Sequence, residues 1–404
     1  MSATSEMKIR LFHPAVCAES SVDAICRRLL GHLAGMRSKK TGSPSFADLN
    51  AVMASMISFE GYMNAHATDV DNLGVGHRER QRIHTRAKRI VTRRDSANRE
   101  SLGHLSEEDT KRDRAALLEL AGMVPVKIVA DEAMADELAA SLHAEFPWMG
   151  AATTVAWHAL RRCARRGRPI SVGPLLLHGP PGIGKTAWAA GLAKALDLPH
   201  CVIDASQGLS SMTLAGTERG WKGQQPGRPL QTVMSSRVAN PVIVVDEVDK
   251  GETMRSDSGN VLSFQPALLG LLEPGNARRW QCPYYRIGVD MSHLSWVLTA
   301  NEIGLVSEPV RSRCEVVQLS DLSVEELSGF AERQATRLGL PAVAADAVQC
   351  AIERAATKEC LQRRLSLRDV SRMLGRAEEL VERPIIGTLP AAKTVSAMRD
   401  WGFG

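Results

Sequence analysis

Gly179-Pro180-Pro181-Gly182-Ile183-Gly184-Lys185-Thr186 constrains the fold more than any other stretch of the 404-residue chain. It reads G-x-x-x-x-G-K-T, follows the apolar run Leu175-Leu176-Leu177-His178, and opens a helical pattern that reaches Leu196. A strand, a glycine loop and a helix in that order turn successive backbone N–H groups and the helix N-terminus toward one point, a cradle for phosphate oxygens. The glycines let the backbone fold around such an anion without a Cβ clash. Lys185 is placed to reach the outer phosphates, and Thr186 to ligate Mg²⁺.

A second segment supplies what such a loop needs across a sheet. Val242-Ile243-Val244-Val245 is a β-branched apolar run, as in a central parallel strand. Asp246 and Glu247 follow at its C-terminal end, where open α/β sheets bind ligands. Asp246 is expected to hold Mg²⁺ and Glu247 to polarise a water. A third strand, Ser295 to Thr299, ends at Ala300-Asn301. Asn301 is then a candidate for the terminal phosphate or the attacking water, although an Asn after a strand is often only a turn residue.

These segments together resemble an AAA+ ATPase, and in particular the ATPase module of Lon-type proteases. Gly179–Thr186 resembles Walker A and Val242–Glu247 resembles Walker B, extended by Val248-Asp249-Lys250. Leu268 to Pro274 looks like the family's helix ending in an acid–Pro turn, and Thr299-Ala300-Asn301 like its first sensor. Pro309 to Val316 resembles the arginine-finger segment, with Arg313 the finger and Arg311 its close rival. Ser366-Leu367-Arg368 resembles the second sensor. Trp221-Lys222-Gly223 resembles the pore loop that grips a polypeptide, with Lys222 in place of an aliphatic residue. The other reading of Trp221 is a loop side chain folded back on its own domain.

The resemblance implies an α/β P-loop NTPase fold: a parallel sheet domain at 146–318 and a small α-helical lid at 319–384. A mainly helical N-terminal recognition module at 1–145 and a tail at 385–404 complete the division. It implies ATP and Mg²⁺ as cofactors. Gly179, Pro180, Pro181, Gly182, Ile183, Gly184, Lys185, Thr186 and Arg368 would hold the nucleotide, and Thr186 and Asp246 the metal. Glu247 and Asn301 would act in hydrolysis together with Arg313 from a neighbouring subunit. A finger acting in trans implies a homo-oligomeric ring, a hexamer in the family, that remodels or threads a protein client. The alternatives are a nucleic-acid loader or remodeller and a nucleotide-switched scaffold. About 20 residues follow the lid, less than a domain, so peptidase activity is not expected.

Outside the resemblance, residues 46–66 look helical. Met53, Met56 and Met63 suit either a pliable packing face or a partner surface. Ser21 is a candidate cap for a helix striped by Val22, Ile25, Leu29, Leu30 and Leu33. His77 to Arg94 carries Arg78, Arg80, Arg82, Arg86, Lys88, Arg89, Arg93 and Arg94 against Glu79. It reads as a solvated helix face or as a patch for phosphate backbones or an acidic partner. No aromatics interleave, so base stacking is not indicated. The net charge of +5 is too mild by itself to demand a nucleic-acid partner. The eight cysteines lack CxxC spacing and read as reduced thiols of a cytoplasmic protein. No run approaches the roughly 20 apolar residues of a membrane span, and no secretory leader is expected.

Overall fold

The computed structural model describes residues 5–12, 21–30, 76–105, 111–207, 210–219, 224–251, 253–255, 261–357 and 365–382. The methionine-bearing stretch 46–66, the Trp221-Lys222-Gly223 loop and the tail 385–404 lie outside them.

The chain begins with β1 (Ser5–Arg10), which pairs antiparallel with β2 (Met123–Ile128). Between these strands lie α1 (22–30), α2 (His77–Leu102) and α3 (Lys111–Leu120). Ser21 caps α1 as expected, its Oγ accepting from the Ala24 N–H at 3.1 Å. After β2 come α4 (Glu132–Glu145) and α5 (Gly150–Arg166). They are separated at Pro147, because proline disfavours helix in the residue before it. Asp131 caps α4, accepting from the Met134 N–H at 2.8 Å. Gly167 ends α5 with φ +55°, a left-handed turn that glycine adopts without a steric penalty.

The central sheet follows. It contains β3 (Leu175–His178), then α6 (Lys185–Ala195), β4 (His200–Asp204), α7 (Ser210–Ala215), α8 (Arg228–Ser236) and β5 (Val242–Asp246). A hairpin of β6 (Thr253–Arg255) and β7 (Val261–Ser263) precedes α9 (Phe264–Leu272) and α10 (Pro274–Ala277). A second hairpin, β8 (Trp280–Cys282) with β9 (Ile287–Val289), leads to β10 (Ser295–Ala300), α11 (Glu308–Arg311) and β11 (Glu315–Gln318). The five-stranded sheet has the order β11-β3-β10-β5-β4, and every pairing is parallel.

Alternate side chains of a strand face opposite sides, and here both sides are covered. Leu176, Ile243, Val245 and Leu298 point into one core, and Leu175, Leu177, Val242, Val244 and Val297 into the other. This explains why β5 and β10 read as continuous apolar runs. A separate cluster joins the helices of the segment expected to form the lid, α12 (Val324–Leu338), α13 (Ala342–Thr357) and α14 (Leu367–Glu382), through Leu327, Val348, Ile352, Val370 and Leu374. Ser323 and Glu326 close a reciprocal cap on α12, as its acid-rich first turn suggests.

The boundary expected at 145/146 does not separate two packing units. Ala135, Leu138 and Leu142 of α4 share one core with Leu175 and Val244 of the sheet. Leu11, Phe12, Leu117 and Val126 share the other with Ile243 and Leu298. These early segments lack nucleotide motifs, so the sequence pattern set them apart, whereas burial joins them to the sheet. Ile25, Cys26 and Ala87, between α1 and α2, form a small core of their own. Among the described residues no helix is long and apolar enough to cross a membrane.

Candidate functional site

The site lies at the C-terminal ends of β3, β5 and β10. Gly182 and Gly184 take φ +79° and +89°, a region that side chains with a Cβ rarely occupy. A Cβ on Gly182 would meet Ser366 at 2.7 Å, so the loop also needs glycine to let the lid approach. The Leu367 N–H donates to the Gly182 carbonyl at 3.1 Å, fastening the first turn of α14 to the loop.

Lys185 is 7% exposed. Its Nζ donates to the carbonyls of Gly179 at 2.8 Å and Pro180 at 2.9 Å, and to Asn301 Oδ1 at 2.9 Å. Burial lowers its pKa to about 8, against the opposing pull of Asp246, Asp249 and Glu247. Burial, and then Lys185, likewise lower the pKa of His178 at the end of β3.

Thr186 Oγ1 donates to Asp246 Oδ1 at 2.9 Å, and Thr299 donates to the same carboxylate. The Thr299 hydroxyl also accepts from the Glu247 N–H at 3.1 Å. Glu247 adopts a left-handed backbone, φ +53°, uncommon for a residue with a side chain and frequent at functional sites. Its Oε1 accepts from Lys250 Nζ at 2.8 Å. Asp249 Oδ2 accepts from the N–H groups of Asn301 and Glu302, both at 3.0 Å. That carboxylate therefore ties the end of β5 to the end of β10.

The sheet thus brings Lys185, Thr186, Asp246, Glu247 and Asn301 together. Arg368, on α14, is near enough for its positive charge to oppose that of Lys185, which adds to the lowering of the lysine's pKa. Arg313 lies apart: it is exposed, and its Nε donates to Glu273 Oε2 at 2.9 Å and its Nη1 to the Pro309 carbonyl at 2.9 Å. Its rival Arg311 has a buried Nε with no partner among the described residues.

Three contributors escaped the sequence reading. Thr299 and Asp249 were visible within motif segments, but their bridging bonds depend on strand register. Trp148 donates from Nε1 to the Ile183 carbonyl at 2.9 Å. Its ring meets Phe146 and Phe330 edge-on, both at 5.9 Å, and Arg333 lies 5.6 Å from its centroid. It thereby joins the phosphate loop to the lid helix α12. The only signal for it was the break at Phe146-Pro147-Trp148.

The residues present fit a nucleotide with its metal. A buried ammonium hydrogen-bonded to neutral oxygens and a left-handed glycine loop suit phosphate. The hydroxyl and carboxylate oxygens of Thr186 and Asp246 are hard donors that suit Mg²⁺.

Residues 175–322 match the family model described as "ATPase family associated with various cellular activities (AAA)". The mitochondrial Lon protease homolog of Drosophila melanogaster is 32% identical over 160 residues, which cover 39% of this chain and 15% of that protein. The Lon protease of Helicobacter pylori is 35% identical over 159 residues, covering 39% of this chain and 18% of that one. The chain therefore spans less than a fifth of the length of these relatives. A solved RuvB mutant of Thermotoga maritima aligns at 18% identity over 61% of this chain and 68% of that one, with a TM-score of only 0.39, too low to bear on function. By sequence, with a parallel P-loop sheet that agrees, residues 175–322 are an AAA ATPase-family module similar to a segment of Lon proteases.

Proposed function

We propose that this chain binds ATP with Mg²⁺ in the cleft at the ends of β3, β5 and β10 and hydrolyses it between subunits of a ring. The cycle drives remodelling or threading of a protein client. The observation that carries the reading is the convergence of buried Lys185, Thr186, Asp246 and Asn301 on the glycine loop.

When bound, Mg²⁺ would supply positive charge against the negative charge that develops in phosphoryl transfer. Thr186 and Asp246 would hold it. Gly179, Pro180, Pro181, Gly182, Ile183 and Gly184 would wrap the phosphates, and Lys185 would exchange its carbonyl partners for phosphate oxygens. Glu247 would leave Lys250 to accept a proton from the attacking water, with Asn301 orienting it. Arg368 would report nucleotide state through the lid, here taken as 319–384. Arg313 would act on the neighbouring subunit's nucleotide, which makes a homo-oligomeric ring, in our reading a hexamer, the active form. Trp221, Lys222 and Gly223 would face its pore.

Glu247→Gln tests the hydrolytic assignment. It should retain nucleotide binding, lose steady-state turnover and hold ATP-dependent clients in a pull-down. Full turnover in this variant would sink the assignment of Glu247. Trp221→Ala should retain turnover and lose remodelling of an unfolded protein, and undiminished remodelling would remove the pore loop from the account.

A further inference from the structure

Helix α2 spans His77–Leu102 with one face inward: Ile83, Ala87, Ile90 and Val91 pack with Ile25 and Cys26 of α1. At 100° per residue, Arg78, Arg82, Arg86, Arg89 and Arg93 fall within a sector of about 80° whose centre lies roughly 125° from that of the inward face. All five are exposed. They run over about 22 Å of helix axis, at 1.5 Å per residue. The one acid within that span, Glu79, accepts from the Gly76 N–H at 3.2 Å; Asp95 and Glu100 lie beyond Arg93. Exposed Lys88 flanks the row.

Like charges three and four residues apart oppose helix formation. Five of them on one face, with no acid of α2 between them there, concentrate positive charge that an external anion would compensate. Three features define its chemistry. The row is of arginines, whose planar forks match phosphate oxygens in pairs. The face has no large apolar residue, so it lacks the anchors of a protein interface and the wedge that enters a lipid surface. It has no aromatic residue, so exposed bases gain no stacking platform. A duplex instead offers a phosphate charge per about 1.7 Å of axis, dense enough to meet every arginine of the row.

We propose that the outer face of α2 is a sequence-independent binding face for the phosphate backbone of duplex nucleic acid. It is remote in sequence from the nucleotide cleft and independent of the hydrolytic reading.

The test uses the full chain and a labelled 30-base-pair DNA of arbitrary sequence, with binding followed by fluorescence anisotropy. If about four phosphates are engaged, log Kd rises with log salt at a slope of about 3.6, and affinity falls about 150-fold between 50 and 200 mM KCl. Arg82→Gln with Arg89→Gln should lower that slope by about 1.8, while Arg82→Lys with Arg89→Lys should keep it. Both variants should keep the nucleotide affinity of the parent, which also certifies their folding. Failure to bind at 50 mM KCl would overturn the proposal, as would an unchanged slope in the glutamine variant. Equal affinity for polyglutamate, or for vesicles rich in anionic lipid, would overturn the choice of nucleic acid.

Discussion

Two candidate nucleotide-contacting regions, the phosphate rim and the Arg313 segment that would form the other rim of a neighbouring subunit's site, are built differently. On the phosphate side, each candidate side chain is fixed by neighbours of the same chain: Lys185 by two carbonyls and Asn301, and Asp246 by Thr186 and Thr299. On the other rim Arg313 is exposed and paired with Glu273 across 40 residues of the same chain. One rim is preorganised, so its groups need little rearrangement to meet charge. The other holds its cation in an exposed ion pair, a kind of contact that costs little to exchange.

The contrast breaks most sharply at Arg313. An arginine acting on the transferring phosphoryl from a neighbouring subunit can be worth about 10³–10⁵ in rate. Arg313→Ala should therefore cut turnover at least about 10³-fold, with nucleotide affinity unchanged by fluorescence titration. Mixing it with Glu247→Gln subunits should restore some turnover, because each variant then supplies what the other lacks. If Arg311→Ala alone gives the large loss, the finger is Arg311, and its buried unpaired Nε is the group to follow.

Lys185 probes the preorganised rim through pH. Burial lowers its pKa to about 8, below the usual 10.4. The folded protein therefore holds fewer protons than the unfolded chain between these values, so the lysine's desolvation penalty is full below pH 8 and fades as pH rises toward 10.4. Phosphates favour the charged form, so nucleotide binding takes up a proton above pH 8. The uptake should grow as pH rises above 8, toward about one proton per nucleotide, measured by calorimetry in buffers of different ionisation enthalpy. Affinity should be flat below pH 8 and weaken toward pH 10; a flat profile throughout would show that the ammonium is not in the phosphate site.

Trp148 tests whether the lid shares in this preorganisation. Trp148→Phe keeps the ring contacts but deletes the bond to the Ile183 carbonyl, worth about 1 kcal/mol. Nucleotide affinity should fall about fivefold, as expected from that energy, and undiminished affinity would separate the lid contact from binding.

How far the sequence disclosed these rims follows from the range of the interactions. The phosphate rim was legible because its groups are consecutive or stand at strand ends: Lys185 and Thr186 adjoin the glycines, and Asp246 and Glu247 close an apolar run. Strand register then adds Thr299 and Asp249, whose partners lie 52 or 53 residues away. Trp148 was hidden because its partner Ile183 is 35 residues on. The packing across 145/146 was hidden for the same reason, since Leu138 and Leu142 reach the sheet through the packing of α4 on its neighbours. The resemblance offered Arg313 as a finger, with Arg311 its rival, but nothing along the chain pointed to Glu273 as the partner of Arg313.

That resting partner sets the finest test. The Arg313 and Glu273 side chains are 38% and 41% exposed, so their pairing should be worth no more than about 1 kcal/mol. If the pair holds the arginine away from the neighbouring subunit's nucleotide, Glu273→Gln releases it at little cost to the fold. Turnover should then rise about two- to fivefold where assembly is incomplete, the factor that an exposed pair can supply, and converge on the parent's value at saturating protein. A concentration series separates the outcomes. A gain confined to dilute protein marks the pair as a brake on the open rim. A loss at every concentration would mean instead that Glu273 orients Arg313 for its work, and the two rims would then be equally preorganised.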